Sequence, residues 1–193
     1  MKFKHLAARL ALSLFTVAGG AAMAADWVVG ANVGNVPWEF QDASGKIVGF
    51  EIDLVNEVAK RAGKTVQIDN IPFNGLFPAV QSGRIHIAVS SITITAKRLE
   101  SLAFAQPYYD SDQSLSVLKT TKIEKLEDLA GKTVGVDTAS TGDIYATENT
   151  AKLKIAKISR YEGLAPAMLD LAAGRIDGYI SDIQIGRASC RER

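Results

Sequence analysis

The chain has 193 residues, 47% of them hydrophobic and 22% charged, with a formal net charge of +1. That is the composition of a globular protein of one or two domains, and it shows no basic stripe of the kind a nucleic-acid binder needs. Lys2, Lys4, Arg9, Arg187, Arg191 and Arg193 supply much of the positive charge from the two ends, so the body between them is slightly acidic.

The first residues read as an export leader. Lys2, Lys4 and Arg9 flank or precede the apolar run Leu10–Ala18, and Ala22-Met23-Ala24 offers an A-x-A cleavage pattern. The run is far shorter than the roughly 20 residues of a membrane span. Residues 1–25 are therefore expected to be a cleaved signal peptide.

Trp27-Val28-Val29-Gly30 predicts a strand. Between Phe50 and Gly63, Val55, Val58, Ala59 and Ala62 repeat at helical spacing. Glu51 and Asp53 open that helix and Lys60 and Arg61 close it, as the helix dipole favours, while Gly63 suits a left-handed C-terminal cap. Val66-Gln67-Ile68 predicts the next strand. Strand, helix, strand argues for an α/β fold with a largely parallel sheet.

An internal echo follows. Gly75-Leu76-Phe77-Pro78-Ala79-Val80 recurs as Gly163-Leu164-Ala165-Pro166-Ala167-Met168, and Gly83-Arg84-Ile85 recurs as Gly174-Arg175-Ile176. Each copy predicts a helix with proline in its first turn, a terminal glycine and an apolar strand, the second helix being about one turn longer. The strands run into small polar residues, Ser90-Ser91 in one copy and Ser181-Asp182 in the other. Ligands of open α/β sheets sit beyond the carboxyl ends of the strands. Two such units predict two lobes facing one cleft.

Pro107 marks a crossing between the lobes. Ser114–Leu118 reads as a strand, Lys125–Leu129 as a short helix and Thr133–Val136 as the first strand of the second unit. The expected division is residues 26–110 for lobe one and 111–183 for an incomplete lobe two. Residues 184–193 show no element periodicity and are expected to be a non-native tail. The single cysteine, Cys190, lies in that tail, so the rest offers no disulfide, cysteine nucleophile or thiolate metal site.

The stretch from Ser90 to Glu100 carries the chemistry. Thr95 is a natural N-cap, which puts Lys97 and Arg98 in a first helical turn where the dipole disfavours cations. Two readings stay open from these residues alone: a site for a carboxylate, held by a helix start and a guanidinium fork, or a solvated charge pair.

Val36-Pro37-Trp38-Glu39-Phe40, Gly49–Leu54, Ser91–Arg98, Phe104–Tyr109, Leu126–Val136 and Gly174–Asp182 occur in the order in which similar motifs occur in the solute-binding proteins of polar amino-acid ABC importers. The chain resembles that family from about Trp27 to Asp182. The resemblance implies a two-lobed, type II periplasmic-binding-protein fold, a periplasmic location and a monomer without a cofactor. It implies a free amino acid as ligand and a membrane permease of an ABC transporter as partner. It also implies the roles of site residues. Arg98 would grip the ligand α-carboxylate with Thr93 and Thr141, and Ser91 and Asp182 would receive the α-ammonium. Phe73 would stack on the side chain, with Asn32, Asn35, Trp38 and Ser90 lining the remainder. Asn32 stands where relatives commonly carry aspartate, so a neutral polar side chain is expected to fit better than a cationic one.

Other classes have weaker support. A hydrolase would depend on His86, the one histidine outside the leader, and no G-x-S-x-G elbow or phosphate loop is present. His86, alone on an apolar strand, reads as structural. A dehydratase of the same fold using Asp182 as an acid, and a ligand-sensing input to a receptor, remain as alternatives.

Overall fold

In the computed structural model, which describes residues 25–191, one β-α-β-α-β unit occurs twice. The first comprises β1 (Trp27–Ala31), α1 (Phe50–Arg61), β4 (Val66–Asn70), α2 (Phe73–Gln81) and β5 (Ile87–Ala88), with a small hairpin, β2 (Phe40–Gln41) and β3 (Ile47–Val48), before α1. Its sheet is parallel in the order β4-β1-β5. A short α3 (Ala96–Leu99) follows, and residues 102–112 cross to the second sheet without regular structure.

The second unit comprises β7 (Thr133–Asp137), α4 (Thr141–Leu153), β8 (Lys157–Tyr161), α5 (Leu164–Ala172) and β9 (Gly178–Asp182). β7 runs parallel to both β8 and β9, and β6 (Gln113–Ser116) adds an antiparallel edge beside β9. Without β6 the order is β8-β7-β9, the same as β4-β1-β5. In each unit the opening strand is central and the chain switches sides across it. Such a switch point leaves a crevice at the strand carboxyl ends.

The repeat reaches into the packing. A Cβ on Gly30 of β1 would lie 2.5 Å from Ile85 Cδ1, and one on Gly135 of β7 would lie 2.5 Å from Ile176 Cδ1. These are the isoleucines of the two Gly-Arg-Ile turns, so each turn drops its isoleucine onto the central strand where only glycine leaves room. Gly30→Ala, which would also press on Leu76, is expected to cost about 1–3 kcal/mol of stability as an overpacking change. A urea-unfolding midpoint unchanged from the wild type would refute this packing.

Several expectations shift. α2 starts at Phe73, two residues before Gly75, so Pro78 lies inside the helix while Pro166 stays in the first turn of α5. Both helices have nine residues, not lengths differing by a turn. α1 buries Ile52 and the i, i+4, i+8 ridge of Glu51, Val55 and Ala59, and leaves Val58 48% exposed. Glu51, which opens the helix as the dipole favours, is inside the protein. Gly63, Gly83 and Gly174 do adopt the left-handed conformation their terminal positions predict.

The end of the chain takes regular structure that its lack of periodicity did not predict. Ile183–Arg191 form a helix, α6. Ile185 is buried, and a Cβ on Gly186 would meet Ser116 Oγ at 2.7 Å, so α6 packs closely on β6. The packing surface offered by β6 and β9 supplies what local periodicity did not.

Apart from Ala25, the leader lies outside the described residues. Among those residues, no helix is long and apolar enough to cross a membrane. Two apolar clusters belong to single units, one around Leu76 and Ile85 and one around Val134, Val136 and Ala146. A third takes Trp38 from the first unit and packs it with Leu164, Ala167, Leu171, Ile176, Tyr179 and Ile185.

Candidate functional site

A cavity of about 420 Å³, including its open mouth, lies where the carboxyl ends of β5, β7 and β9 converge. Arg98 enters from α3. Thr95 Oγ1 caps that helix by accepting from the Arg98 N–H at 3.2 Å, as its N-cap position predicts. The guanidinium donates to Thr93 O at 2.7 Å and, across the cleft, to Ala139 O at 3.1 Å. It also sits 4.8 Å from the centroid of the Phe77 ring and 5.5 Å from that of Phe73. Burial pulls its pKa down and the charge of Asp182 pushes it back, and an arginine stays cationic throughout.

Asp182 ends β9 opposite this cation. Burial raises its pKa, while the amide of Gln113, the hydroxyl of Ser91 and the charge of Arg98 stabilise its anion. Two opposite charges, one from each unit, thus face the same cavity.

The backbone around them is strained. Ser91 has φ +43° and Ala139 φ +64°, a region costing non-glycine residues roughly 1–2 kcal/mol. Each N–H is held by a carboxylate: that of Ser91 donates to Glu51 at 2.8 and 3.0 Å, and that of Ala139 to Asp143 Oδ2 at 3.1 Å. The two loops that touch the cavity from opposite units are fixed by the same device.

Behind Ser90 and Ser91 lies a buried acid pair. Glu39 and Glu51 are both fully buried. Glu39 Oε1 accepts from Asn35 Nδ2 and from Ser90 Oγ, each at 2.8 Å, and the Tyr108 hydroxyl donates to Glu51. Burial and the neighbouring Glu51 push the Glu39 pKa up to about 10. Glu39 Oε2 has no other donor, so a proton held there and shared toward Glu51 satisfies it.

At the other end of the cleft, Asn32 Nδ2 donates to Asp137 Oδ2 at 3.1 Å and the Gly163 N–H to Asp137 Oδ1 at 2.9 Å. Burial raises the Asp137 pKa to about 6 despite these donors.

Eight of the ten expected site residues line the cavity: Asn35, Phe73, Ser90, Ser91, Thr93, Arg98, Thr141 and Asp182. Asn32 borders a neighbouring pocket with Gly163 and turns its amide to Asp137. Trp38 does not line the cavity. It is 3% exposed and packs edge-on against Phe50 and Tyr109 at 5.6 and 4.9 Å between ring centroids. Its indole is a core element joining the units. Phe73 is both lining and core, 7% exposed and edge-on to Phe77.

Sequence reading missed Gln113, Asp137, Ser140 and Tyr179 in the lining. Asp137 was detectable, because it ends a strand as Asp182 does. His86 lies away from the site and accepts the Val28 N–H at 3.0 Å, a structural role.

Comparison with known proteins follows the same geometry. The lysine/arginine/ornithine-binding periplasmic protein of Escherichia coli K12 is 35% identical over 184 residues, spanning 94% of this chain and 70% of that protein. The histidine-binding periplasmic protein of the same strain is 34% identical over 80% of this chain, which spans only 59% of that relative. Structures of an ancestral arginine-binding protein bound to arginine and bound to glutamine both superpose with a TM-score of 0.82. They are 33% and 34% identical, with 86% of this chain and 74% and 73% of those chains covered. The fold is thus the two-lobed α/β fold of periplasmic amino-acid-binding proteins. The profile of the bacterial extracellular solute-binding proteins, family 3, matches residues 27–160, and the chain belongs to that family.

Proposed function

We propose that the protein captures a free amino acid in the periplasm and presents it to the permease of an ABC importer. The observation that carries this reading is the buried pair of opposite charges, Arg98 from one unit and Asp182 from the other, on one cavity. A zwitterion complements that arrangement. Its α-carboxylate takes the guanidinium fork, with Thr93 and Thr141 beside it, and its α-ammonium takes Asp182 with Ser91. Both units then touch the ligand, so binding favours the closed arrangement. That closed form, as a monomer, is the signal the permease reads.

The leader of residues 1–25 directs export and is removed. The protein acts on its ligand by binding alone, which fits a lining made largely of Ser, Thr, Asn, Gln, aromatic and charged side chains. The lobe division proposed is residues 26–110 and 111–183.

A melting screen against the free amino acids tests this. A ligand specific for the folded state at 100 times its Kd adds about 2.7 kcal/mol of stability. At least one amino acid should produce such a shift, and its des-amino analogue should not. Silence across all amino acids would end the reading.

A further inference from the structure

Asn32 and Asp137 hold equivalent places in the repeated unit. Each lies two residues beyond the glycine, Gly30 or Gly135, on which its own Gly-Arg-Ile isoleucine packs. The two residues meet across the cleft, the amide of Asn32 donating to the carboxylate of Asp137. Asp137 lines the cavity, while Asn32 stands behind it on the neighbouring pocket.

The charged residues lining the cavity are Arg98, Asp137 and Asp182. If a ligand's α-carboxylate engages Arg98 and its α-ammonium Asp182, Asp137 has no counter-charge. Its hydrogen-bond donors, Asn32 and the Gly163 and Thr138 N–H groups, are neutral. Among the described residues no Lys, Arg or His forms an ion pair with it. The charged neighbour that bears on it, Glu162, is also acidic. A ligand filling the cleft would shut water away from this carboxylate, and an unpaired charge out of water is costly.

We propose that Asp137 is the specificity-determining residue of this cavity and pairs with a cationic side chain, so that the ligand class is the basic amino acids. This rests on the amino-acid reading above and names its substrate class. Asn32 is then a positioning residue: its amide holds one oxygen of Asp137 and adds no second negative charge. The raised pKa of Asp137 fits a carboxylate desolvated with no cation to offset it. The expectation of a neutral side chain came from taking Asn32 as the position that sets ligand charge. In this cavity the acid comes from the other unit.

Arginine and citrulline separate the possibilities, because citrulline keeps the shape of arginine and replaces its cation with a neutral urea. Calorimetric titration of the full chain should show arginine binding at least about thirtyfold tighter than citrulline, the lower end of what losing one partner of a desolvated pair costs. Asp137→Asn should bring the arginine-to-citrulline ratio to within about threefold. Citrulline binding the wild type as tightly as arginine would overturn the proposal and leave amino-acid capture standing. So would an undiminished arginine preference in Asp137→Asn. Failure of every amino acid to bind would remove the underlying reading as well. The wild-type ratio does not depend on whether the variant folds.

Discussion

Replacing Arg98 with alanine is expected to weaken amino-acid binding by roughly 2–5 kcal/mol, about thirtyfold to several thousandfold. The side chain is 9% exposed, spans the cleft from Thr93 O to Ala139 O, and lies over Phe73 and Phe77. Removing it leaves a ligand carboxylate facing aromatic surface and strips Asp182 of its opposing charge. Lysine should rescue poorly. It keeps the charge but not the planar fork that reaches two carbonyls and a carboxylate at once. Titration calorimetry on wild type, Arg98→Ala and Arg98→Lys is the check. An alanine variant within about threefold of wild type would show that Arg98 does not hold the ligand.

The second large effect concerns stability against pH. Burial and the neighbouring Glu51 push the Glu39 pKa in the folded protein to about 10, from an ordinary value of 4.5. Between those values the folded state holds one more proton than the unfolded state at this position. Stability therefore falls as pH rises, by about 1.4 kcal/mol per unit where the difference is complete. Glu39→Gln imitates the protonated acid: its carbonyl can accept from Asn35 and Ser90, and its amide can donate to Glu51. The variant takes up no proton on folding. It should melt above wild type at pH 8 by the equivalent of at least about 2 kcal/mol, and the gap should close toward pH 5. Parallel melting profiles for the two proteins from pH 5 to 8.5 would show that Glu39 is not held protonated. Glu51 cannot be treated alike, because its carboxylate fixes the strained Ser91 N–H.

Elements with strong periodicity or punctuation could be read from sequence, and those shaped by packing could not. The echo of Gly-Leu-x-Pro-Ala and Gly-Arg-Ile located α2, α5 and the strands after them, and from these the two facing units. α4 escaped because its buried residues, Gly142, Asp143, Ala146 and Leu153, include only two apolar side chains in 13 residues. The signal that remained was its capping sequence, Ser140 three residues before Asp143, and Ser140 Oγ does accept the Asp143 N–H. The face of α1 was misjudged for a related reason. A buried glutamate looks like a surface residue until its partners, Tyr108 and the Ser91 N–H, arrive from 40 or more residues away. Arg98 could be read because its place in the first turn of a short helix conflicts with the dipole, and such local conflicts tend to mark functional positions. Asp137 was within reach of the strand-end rule that singled out Ser90 and Asp182. Trp38 shows the limit of carrying roles by resemblance, since its indole goes into the core of the opposite unit.

The edge strand β6 leaves a mark on the order in which the molecule assembles. Within each unit, the central strand pairs with the strands that follow one and two helices downstream. β6 instead precedes its whole sheet and pairs with β9, Gln113 with Asp182 and Ser116 with Tyr179, some 60 to 70 residues downstream. Chain closure over that span carries a larger entropic cost than any pairing inside the β7-to-β9 unit, and contacts of such separation form late. Gln113 is the residue of β6 that reaches the cavity, donating to Asp182 and to Thr141. The Asp182 end of the cleft therefore depends on the longest-range pairing of its sheet, and the parallel pairing of β7, β8 and β9 alone does not finish the cavity wall.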